Sequence, residues 1–105
     1  MESKQIAGKL IEFDADGHMK NLNDWDENVA KELAALEGIQ PLTDRHWAVI
    51  NYMRKEFLAH GDAPSIRKLT KESGVQTKEL YELFPKGPAK KSAKIAGLPK
   101  PKGCI

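Results

Sequence analysis

The residue best suited to covalent chemistry is Cys104, the only cysteine in this chain of 105 residues. It stands one residue before the end, after Gly103 and the Pro-Lys-Pro-Lys run of residues 99–102. A buried structural cysteine packs as a small hydrophobe in a core, whereas a thiol near a chain end can enter another protein. Its thiolate could accept and release a sulfur atom by the chemistry of thiol–disulfide exchange. From the residues alone, a sulfur carrier and an incidental terminal cysteine are equally open.

The neighbours of Cys104 bear on its reactivity and its reach. Lys100 and Lys102 favour the thiolate electrostatically, whereas the Ile105 carboxylate opposes it. An extended chain from Gly87 onward would let the sulfur reach roughly 50 Å at ~3.1 Å per residue. Strong activation is therefore expected only inside a basic pocket, its own or a partner's.

Other kinds of chemistry lack the residues that they need. His18, His46 and His60 have no metal-ligand spacing, and one cysteine makes no pair, so no metal site is expected. The chain has no glycine-rich phosphate loop and no carboxylates that can be assigned as an acid–base pair. We therefore expect no cofactor.

A helix–turn–helix pair offers a second, weaker function. Residues 65–73, a turn at Gly74 and residues 77–84 have the size of a nucleic-acid-binding motif. A DNA-reading helix carries basic and amide side chains near its start, yet this one begins Thr77-Lys78-Glu79 and adds Glu82. Direct nucleic-acid binding is therefore disfavoured, and packing of three helices explains the same pattern.

Charge is distributed unevenly along the chain, although the net value is only +2. Before Pro85, eleven basic residues stand against fifteen acidic ones, which gives this part about −4. No acidic residue follows Glu82, and the tail is basic through Lys86, Lys90, Lys91, Lys94, Lys100 and Lys102. Such a tail is either a solvated end near an acidic body or an arm that docks on an acidic partner or nucleic acid.

Composition predicts one globular domain, because 40% hydrophobic and 30% charged residues are ordinary values for that class. No apolar run approaches the ~20 residues of a transmembrane helix, and the N-terminus has no signal-peptide stretch. A single cysteine forms no internal disulfide, so a reducing, cytoplasmic location without membrane association is expected.

The elements that must position these residues begin with a predicted β-hairpin. Its first strand includes Ile6 to Phe13, its turn is Asp14–Gly17, and residues 18–22 return. A helix then follows Asp24, which can cap it, and one face of this helix presents Val29, Leu33 and Leu36.

Three further helices and a tail complete the pattern. Thr43 and Gly61 bound a central helix, Pro64-Ser65 open a shorter one through Ser73, and Thr77 caps the last before Pro85. Residues 89–96 have the alanine and lysine content of another short helix. The expected fold is mainly α: a small helical bundle with an N-terminal β-hairpin, a helix-turn-helix-like pair and a flexible C-terminal arm. Residues 1–85 form the body, and residues 86–105 form the basic arm.

The ending of the chain combines the stretches Leu83–Lys90 and Lys94–Pro101 with the penultimate Cys104. This combination gives the chain a close resemblance to the DsrC/TusE family. Further matches, which extend it over essentially the full chain, are the Ala63-Pro64…Arg67…Leu69 stretch, the Asp16-Gly17 turn, Trp25 and the Thr43…His46-Trp47 helix start.

This resemblance implies a helical fold with a mobile arm, whose penultimate cysteine carries sulfur as a persulfide. TusE-type members take the sulfur from an upstream carrier complex and pass it to the enzyme that 2-thiolates tRNA. DsrC-type members serve dissimilatory sulfite reductase. The implied partners are a sulfur-donor carrier complex and an acceptor enzyme, either the tRNA thiouridylase or sulfite reductase. The chain would be a sulfurtransferase-type carrier rather than a self-sufficient catalyst.

Two features point to different branches of that family. DsrC-type members use a second arm cysteine eleven positions before the last, where this chain has Ala93. A bridge between two arm cysteines is then impossible, whereas persulfide relay needs only Cys104. TusE-type members, however, carry an insertion where Lys71–Leu80 is short here. A DsrC-type partner or regulator of sulfite reductase, with Ala93 natural or engineered, and a single-cysteine paralogue stay open.

The resemblance also suggests supporting residues. Arg67 would stabilise a thiolate or persulfide near the docked arm, and a surface ion pair with Glu72 is the alternative. The part of the arm that docks on partners is expected at Lys94, Gly97, Leu98, Pro99, Lys100, Pro101 and Gly103.

Overall fold

The computed structural model of the chain describes residues 2–100, in which a two-stranded hairpin precedes five α-helices. The elements are β1 (Glu2–Ile6), β2 (Lys9–Phe13), a short 3-10 helix (Leu22–Asp24), α1 (Glu27–Leu36), α2 (Asp44–His60), α3 (Ile66–Ser73), α4 (Thr77–Leu83) and α5 (Pro88–Ile95). The predicted fold, mainly α with an N-terminal hairpin and an α3–α4 pair, is confirmed. The flexibility predicted for the arm of residues 86–105 stays a prediction, and residues 101–105 of that arm lie outside the described range.

The hairpin turns earlier than the sequence suggested. β1 and β2 pair antiparallel from Glu2↔Phe13 to Ile6↔Lys9, so the turn is Ala7-Gly8 and not Asp14–Gly17. Both turn residues have positive φ, 51° and 82°. In a two-residue hairpin turn, positive φ at both positions gives a backbone twist that matches the twist of the two strands. Asp14–Gly17 makes a second turn, which brings Met19 back to bridge Phe13.

The first helix differs from its prediction at both ends. Asp26, not Asp24, is the N-cap, because its carboxylate accepts the Val29 N–H at 2.9 Å. The predicted inward Leu36 is 66% exposed. Ala30 and Ala34 are buried instead, so the inward face of α1 does not include Leu36. α1 packs against α5 through this inward face.

The central helix α2 follows its prediction closely. Thr43 caps it in a capping box with His46, and Gly61 ends it in the left-handed conformation. Ile50 and Met53 are fully buried, and the helix packs against both α3 and α5. α2 therefore connects the helix pair to the C-terminal segment.

The α3–α4 pair also follows its prediction, except at one cap. Ser65 caps α3 through the Lys68 N–H, and Gly74 ends it at φ 81°. α4 has Gln76 as its N-cap without a side-chain bond, so the expected Thr77 cap is wrong. Thr77 lies one residue later, where its hydroxyl bonds that of Thr70 at 3.0 Å instead.

The C-terminal helix α5 lies against the body. Its inward residues Ala89, Ser92, Ala93 and Ile95 are fully or almost fully buried, and so are Ala96 and Leu98 just beyond the helix. The first half of the predicted arm thus contributes to the core, although the division at residue 86 stays a prediction. Over residues 2–100, no helix is both long and apolar enough to span a bilayer.

Candidate functional site

The candidate site is built where the described chain leaves the body, at residues 95–98, here called the arm root. The root closes α5 with a Schellman motif, in which the Leu98 N–H reaches Ala93 O at 2.9 Å and the Gly97 N–H reaches Lys94 O at 3.1 Å. Gly97 has φ 73°, the left-handed value that this motif requires. The backbone direction of the emerging chain is therefore set locally up to Leu98.

Three side chains from outside α5 then hold the root, and we call them the root clamp: His18, Trp25 and Arg54. Trp25 Nε1 donates to Ile95 O at 2.8 Å, Arg54 Nη1 donates to Ala96 O at 2.7 Å, and His18 Nδ1 lies 3.0 Å from Leu98 O. Carbonyl groups at a helix C-terminus have no partner inside the helix. The clamp supplies those partners from the Asp14–His18 turn, the segment before α1, and α2.

Two members of the clamp also pack on each other. The Arg54 guanidinium lies 3.9 Å from the Trp25 ring centroid, a cation–π stack. A Cβ at Gly97 would approach Trp25 Cδ1 to 2.6 Å. Glycine is therefore required here for two independent reasons, its positive φ and this contact with the indole.

His18 is the most unusual member of the clamp. Its side chain is fully buried, and Nδ1 must carry the proton because Leu98 O can only accept. Nε2 is buried as well and meets no hydrogen-bond partner within residues 2–100. Burial lowers the pKa of His18, and nearby Lys94 and Lys90 lower it further, against the Leu98 bond and Asp14. The imidazole therefore stays neutral near pH 7.

The turn that carries His18 is itself held in shape by Asp14. The Asp14 carboxylate accepts the backbone N–H groups of Asp16 and His18, both at 2.9 Å. Burial raises the pKa of Asp14, but these backbone bonds outweigh it and the pKa is lowered overall. The charged carboxylate thus fixes the loop that meets the root.

The residues predicted for partner docking divide into two groups. Gly97 and Leu98 belong to the root, where Leu98 is fully buried and Gly97 lies against Trp25. The others are at the surface: Pro99 is exposed, Lys94 Nζ lies 3.6 Å from Glu37, and Lys100 Nζ lies 3.5 Å from Asp16. Cys104, Pro101 and Gly103 lie outside the described residues.

Arg67 is placed on α3, with an exposed side chain. It has no ion pair within the described part of the chain, and the suggested partner Glu72 instead accepts the Tyr52 hydroxyl at 2.8 Å. No hydrogen bond joins Arg67 to the root. The structure leaves this guanidinium available at the surface.

Sequence reasoning about the site missed the whole root clamp. In the sequence, Trp25 stands out only as a position of the family resemblance, His18 only as a strand residue and a rejected metal ligand, and Arg54 not at all. An arginine at an inward helical position is a usable signal, because a buried guanidinium needs acceptors. Burial lowers the pKa of Arg54, yet a guanidinium stays protonated in proteins.

The arrangement has a direct consequence for Cys104. Since the chain is fixed through Leu98, the residue that carries the sulfur lies only six positions beyond the last clamped residue. Six residues span at most about 20 Å, much less than the reach expected from Gly87. Across residues 2–100, no three His, Cys, Asp or Glu side chains are grouped to hold a metal.

Comparisons with known proteins agree on one family. The family model described as "DsrC like protein" matches residues 5–105. The chain is 44% identical to "Sulfurtransferase TusE" of Yersinia pseudotuberculosis, over 96% of this chain and 99% of that one. It is 40% identical to "Sulfite reductase, dissimilatory-type subunit gamma" of Nitratidesulfovibrio vulgaris over the full length of both. The NMR structure of Allochromatium vinosum DsrC matches with a TM-score of 0.85 at 39% identity, covering 99% of this chain and 98% of that one.

Proposed function

This chain belongs to the DsrC-like protein family, and from that premise we propose that it is a persulfide sulfur carrier in a sulfur relay, with the sulfur on Cys104. The observation that carries the proposal is the position of the only thiol, six residues beyond a clamped root. A relay needs a single sulfur nucleophile that is fixed to a body yet extends from it. The relatives named sulfurtransferases, at 44–47% identity, support the same role.

The proposed transfer balances with one thiol on this chain. The Cys104 thiolate attacks the outer sulfur of a donor persulfide, the donor S–S bond breaks, and the donor leaves as a thiolate. Cys104 then carries the outer sulfur as a persulfide. A thiophilic acceptor site takes that sulfur in the second step and releases the Cys104 thiolate. The carrier needs no cofactor for either step.

Among the acceptors, the proposal favours the enzyme that thiolates tRNA. Ala93 occupies the position of the second arm cysteine, and it is fully buried beneath the root. An intramolecular bridge to Cys104 is therefore absent from the chemistry of this chain. The donor would be a carrier complex, and the relay would run in the cytoplasm.

A DsrC-type role with sulfite reductase is the second candidate. It is favoured by the full-length match to a sulfite reductase gamma subunit and by the short segment Lys71–Leu80. Its test is Ala93→Cys: oxidation of that variant should form a bridge to Cys104, seen as a loss of two hydrogen masses. Failure to bridge would remove the mechanism of this candidate.

The supporting roles proposed for surface residues are secondary. Arg67 would stabilise the thiolate or the persulfide anion once the arm and a partner meet it. Lys94 and Lys100 would supply docking charges rather than catalysis. Arg67→Ala should slow sulfur transfer without changing stability, because the side chain is exposed.

The proposed function is tested by intact-protein mass spectrometry after incubation with a cysteine desulfurase, cysteine and a set of sulfur carriers. A gain of one sulfur mass that a reductant reverses, and that Cys104→Ser abolishes, is the expected result. If the complete set of carriers leaves the mass of the protein unchanged, the carrier role is wrong.

A further inference from the structure

The short distance between the root and Cys104 constrains where a partner can sit. With the chain fixed through Leu98, a partner must bring its reactive group within about 20 Å of that residue. Such a partner has to contact the body close to the root. The surface beside the root therefore has to be considered as an interface.

A cleft of about 230 Å³ opens beside the root. Its floor and walls are formed by the hairpin, by the end of α1 and by α5, through Lys4, Ile6, Phe13, Gly17, Leu33, Leu36, Glu37 and Lys94. Gly17 connects it to the root, because its neighbours Asp16 and His18 contact Lys100 and Leu98. The cleft is therefore bordered by the turn that leads into His18 of the clamp and by Lys94, which directly precedes the root.

The lining combines apolar and basic groups. Leu36 is 66% exposed, whereas Ile6 and Phe13 in the same lining are buried, so Leu36 supplies the exposed apolar surface of the cleft. Lys4 and Lys94 stand in the same lining, with Glu37 as its one carboxylate. The ion pairs of both lysines are long: Lys4 Nζ lies 3.8 Å from Glu2 Oε1, and Lys94 Nζ lies 3.6 Å from Glu37 Oε1. Both ammonium groups can therefore form a shorter ion pair with a docked carboxylate.

We propose that this cleft docks a segment of the sulfur-donating partner that presents a carboxylate next to an apolar side chain. The proposal rests on the proposed function and adds the surface that recognises the donor. The apolar side chain packs on Leu36, and the carboxylate pairs with Lys4 and Lys94. Docking there places the donor sulfur within range of Cys104.

The test measures binding without sulfur chemistry, using the full-length Cys104→Ser protein. The probe is a purified donor carrier complex from Yersinia pseudotuberculosis, the source of a 44% identical relative. Leu36→Glu places a charge on the cleft, and Leu58→Glu is the matched control, since the two leucines are 66% and 68% exposed and only Leu36 lines the cleft. Lys4→Glu is the second test variant. Thermal melts check that all variants fold.

The expected result is at least a tenfold weaker binding of the donor in Leu36→Glu and Lys4→Glu, with Leu58→Glu unchanged. Equal affinity of Leu36→Glu and Leu58→Glu, or no binding by the unsubstituted Cys104→Ser protein, overturns the proposal. Tighter binding by Leu36→Glu also overturns it, because that sign indicates that the occupant presents a basic and not an acidic group. Loss of tRNA binding in Leu36→Glu would reassign the cleft to nucleic acid.

The proposed function has its own readout and can fail separately. If Cys104 gains no sulfur mass while the difference between Leu36→Glu and Leu58→Glu persists, the docking surface stands and the carrier role is wrong. If Leu36→Glu and Leu58→Glu, made with Cys104 intact, load sulfur at equal rates and their Cys104→Ser forms bind the donor equally, the carrier role stands and the cleft is not its docking site.

Discussion

The C-terminal ends of α4 and α5 are both held by a buried histidine, but the two are held differently. At α4, His46 Nε2 donates to Leu83 O at 3.0 Å, and its Nδ1 accepts the Thr43 N–H at 3.0 Å. At α5, His18 Nδ1 binds Leu98 O while its Nε2 has no partner within residues 2–100. In a neutral ring, both nitrogens of His46 have a hydrogen-bond partner, whereas only one nitrogen of His18 has a partner within residues 2–100.

The two helix ends therefore differ in how easily they can be released from the body. The end of α4 is held by the side chain of His46, whose ring also packs edge-on against Phe84 at 5.3 Å. The end of α5 needs His18 together with Trp25 and Arg54. An unpaired buried nitrogen is costly, so the root depends on the combined clamp. Substitutions in the clamp should therefore release the end of α5 while the end of α4 stays in place.

The largest effect is expected from Gly97→Ala. The new Cβ would lie 2.6 Å from Trp25 at a φ of 73°, so overpacking and backbone strain together should lower the free energy of unfolding by about 3 kcal/mol. Gly74→Ala is the matched control, because Gly74 ends α3 at φ 81° with nothing within 4 Å of its Cβ. The free energy of unfolding of Gly74→Ala, measured with urea, should fall by only about 1 kcal/mol. Equal losses would show that Trp25 does not restrict the root.

The next effect is expected from Arg54→Ala. It removes the bond to Ala96 O and the stack on Trp25, which should lower the free energy of unfolding by about 2 kcal/mol. Arg54→Lys should fall between, since an ammonium keeps the charge but not the planar stack. Arg67→Ala serves as the control on an exposed helix position. A loss in Arg67→Ala as large as that in Arg54→Ala would contradict a specific role for the clamp.

A smaller effect should follow from pH. Burial lowers the pKa of His18 below the ordinary 6.5, Lys94 and Lys90 act in the same direction, and Leu98 and Asp14 oppose them. Below pH 6.5 the unfolded chain therefore binds more protons than the folded chain, and stability falls as the pH falls. One group contributes at most about 1.4 kcal/mol per pH unit.

The matched measurement is urea unfolding of the native protein and of His18→Gln from neutral pH to about pH 5. The variant should lose the His18 part of the slope, and hydrogen exchange should show residues 95–98 opening first in the native protein. An identical slope in both proteins would mean that the charged ring finds a partner for Nε2.

The smallest effect is expected at the ion pair between Asp16 and Lys100, whose side chains are 47% and 42% exposed. Exposed pairs contribute little and are screened by salt, so Asp16→Asn should leave the melting temperature within error. Asp26→Ala should be more harmful, because Asp26 both pairs with Lys9 at 2.8 Å and caps α1. If Asp16→Asn lowered the melting temperature more than Asp26→Ala, the Asp16–Lys100 pair would have to be counted as part of the root clamp.

Local signals allowed much of the fold to be predicted. Thr43, Gly61, Ser65 and Gly74 act through neighbours in the sequence, so the bounds of α2 and α3 could be predicted closely. The hairpin turn was misplaced because Asp14–Gly17 is also a turn by composition, and only the pairing register distinguishes the two.

The candidate site could be predicted only in part, for a different reason. Cys104 follows from its type and position, but the clamp joins residues 42, 70 and 80 positions apart. Contacts at such separations leave no local pattern. The alanines of α5 indicated helix propensity, whereas Ala93 and Ala96 also allow the helix to enter the core.

Trp25 gives the root an optical reporter of its own. Indole emission responds to the N–H bond and to a cation over the ring, and Trp25 has both, through Ile95 O and Arg54. The chain has only one other tryptophan, Trp47, so a Trp47→Phe background isolates the signal. Loading, docking and acid release could then be followed in real time without a dye. The single thiol, where a dye would otherwise be attached, stays free for sulfur.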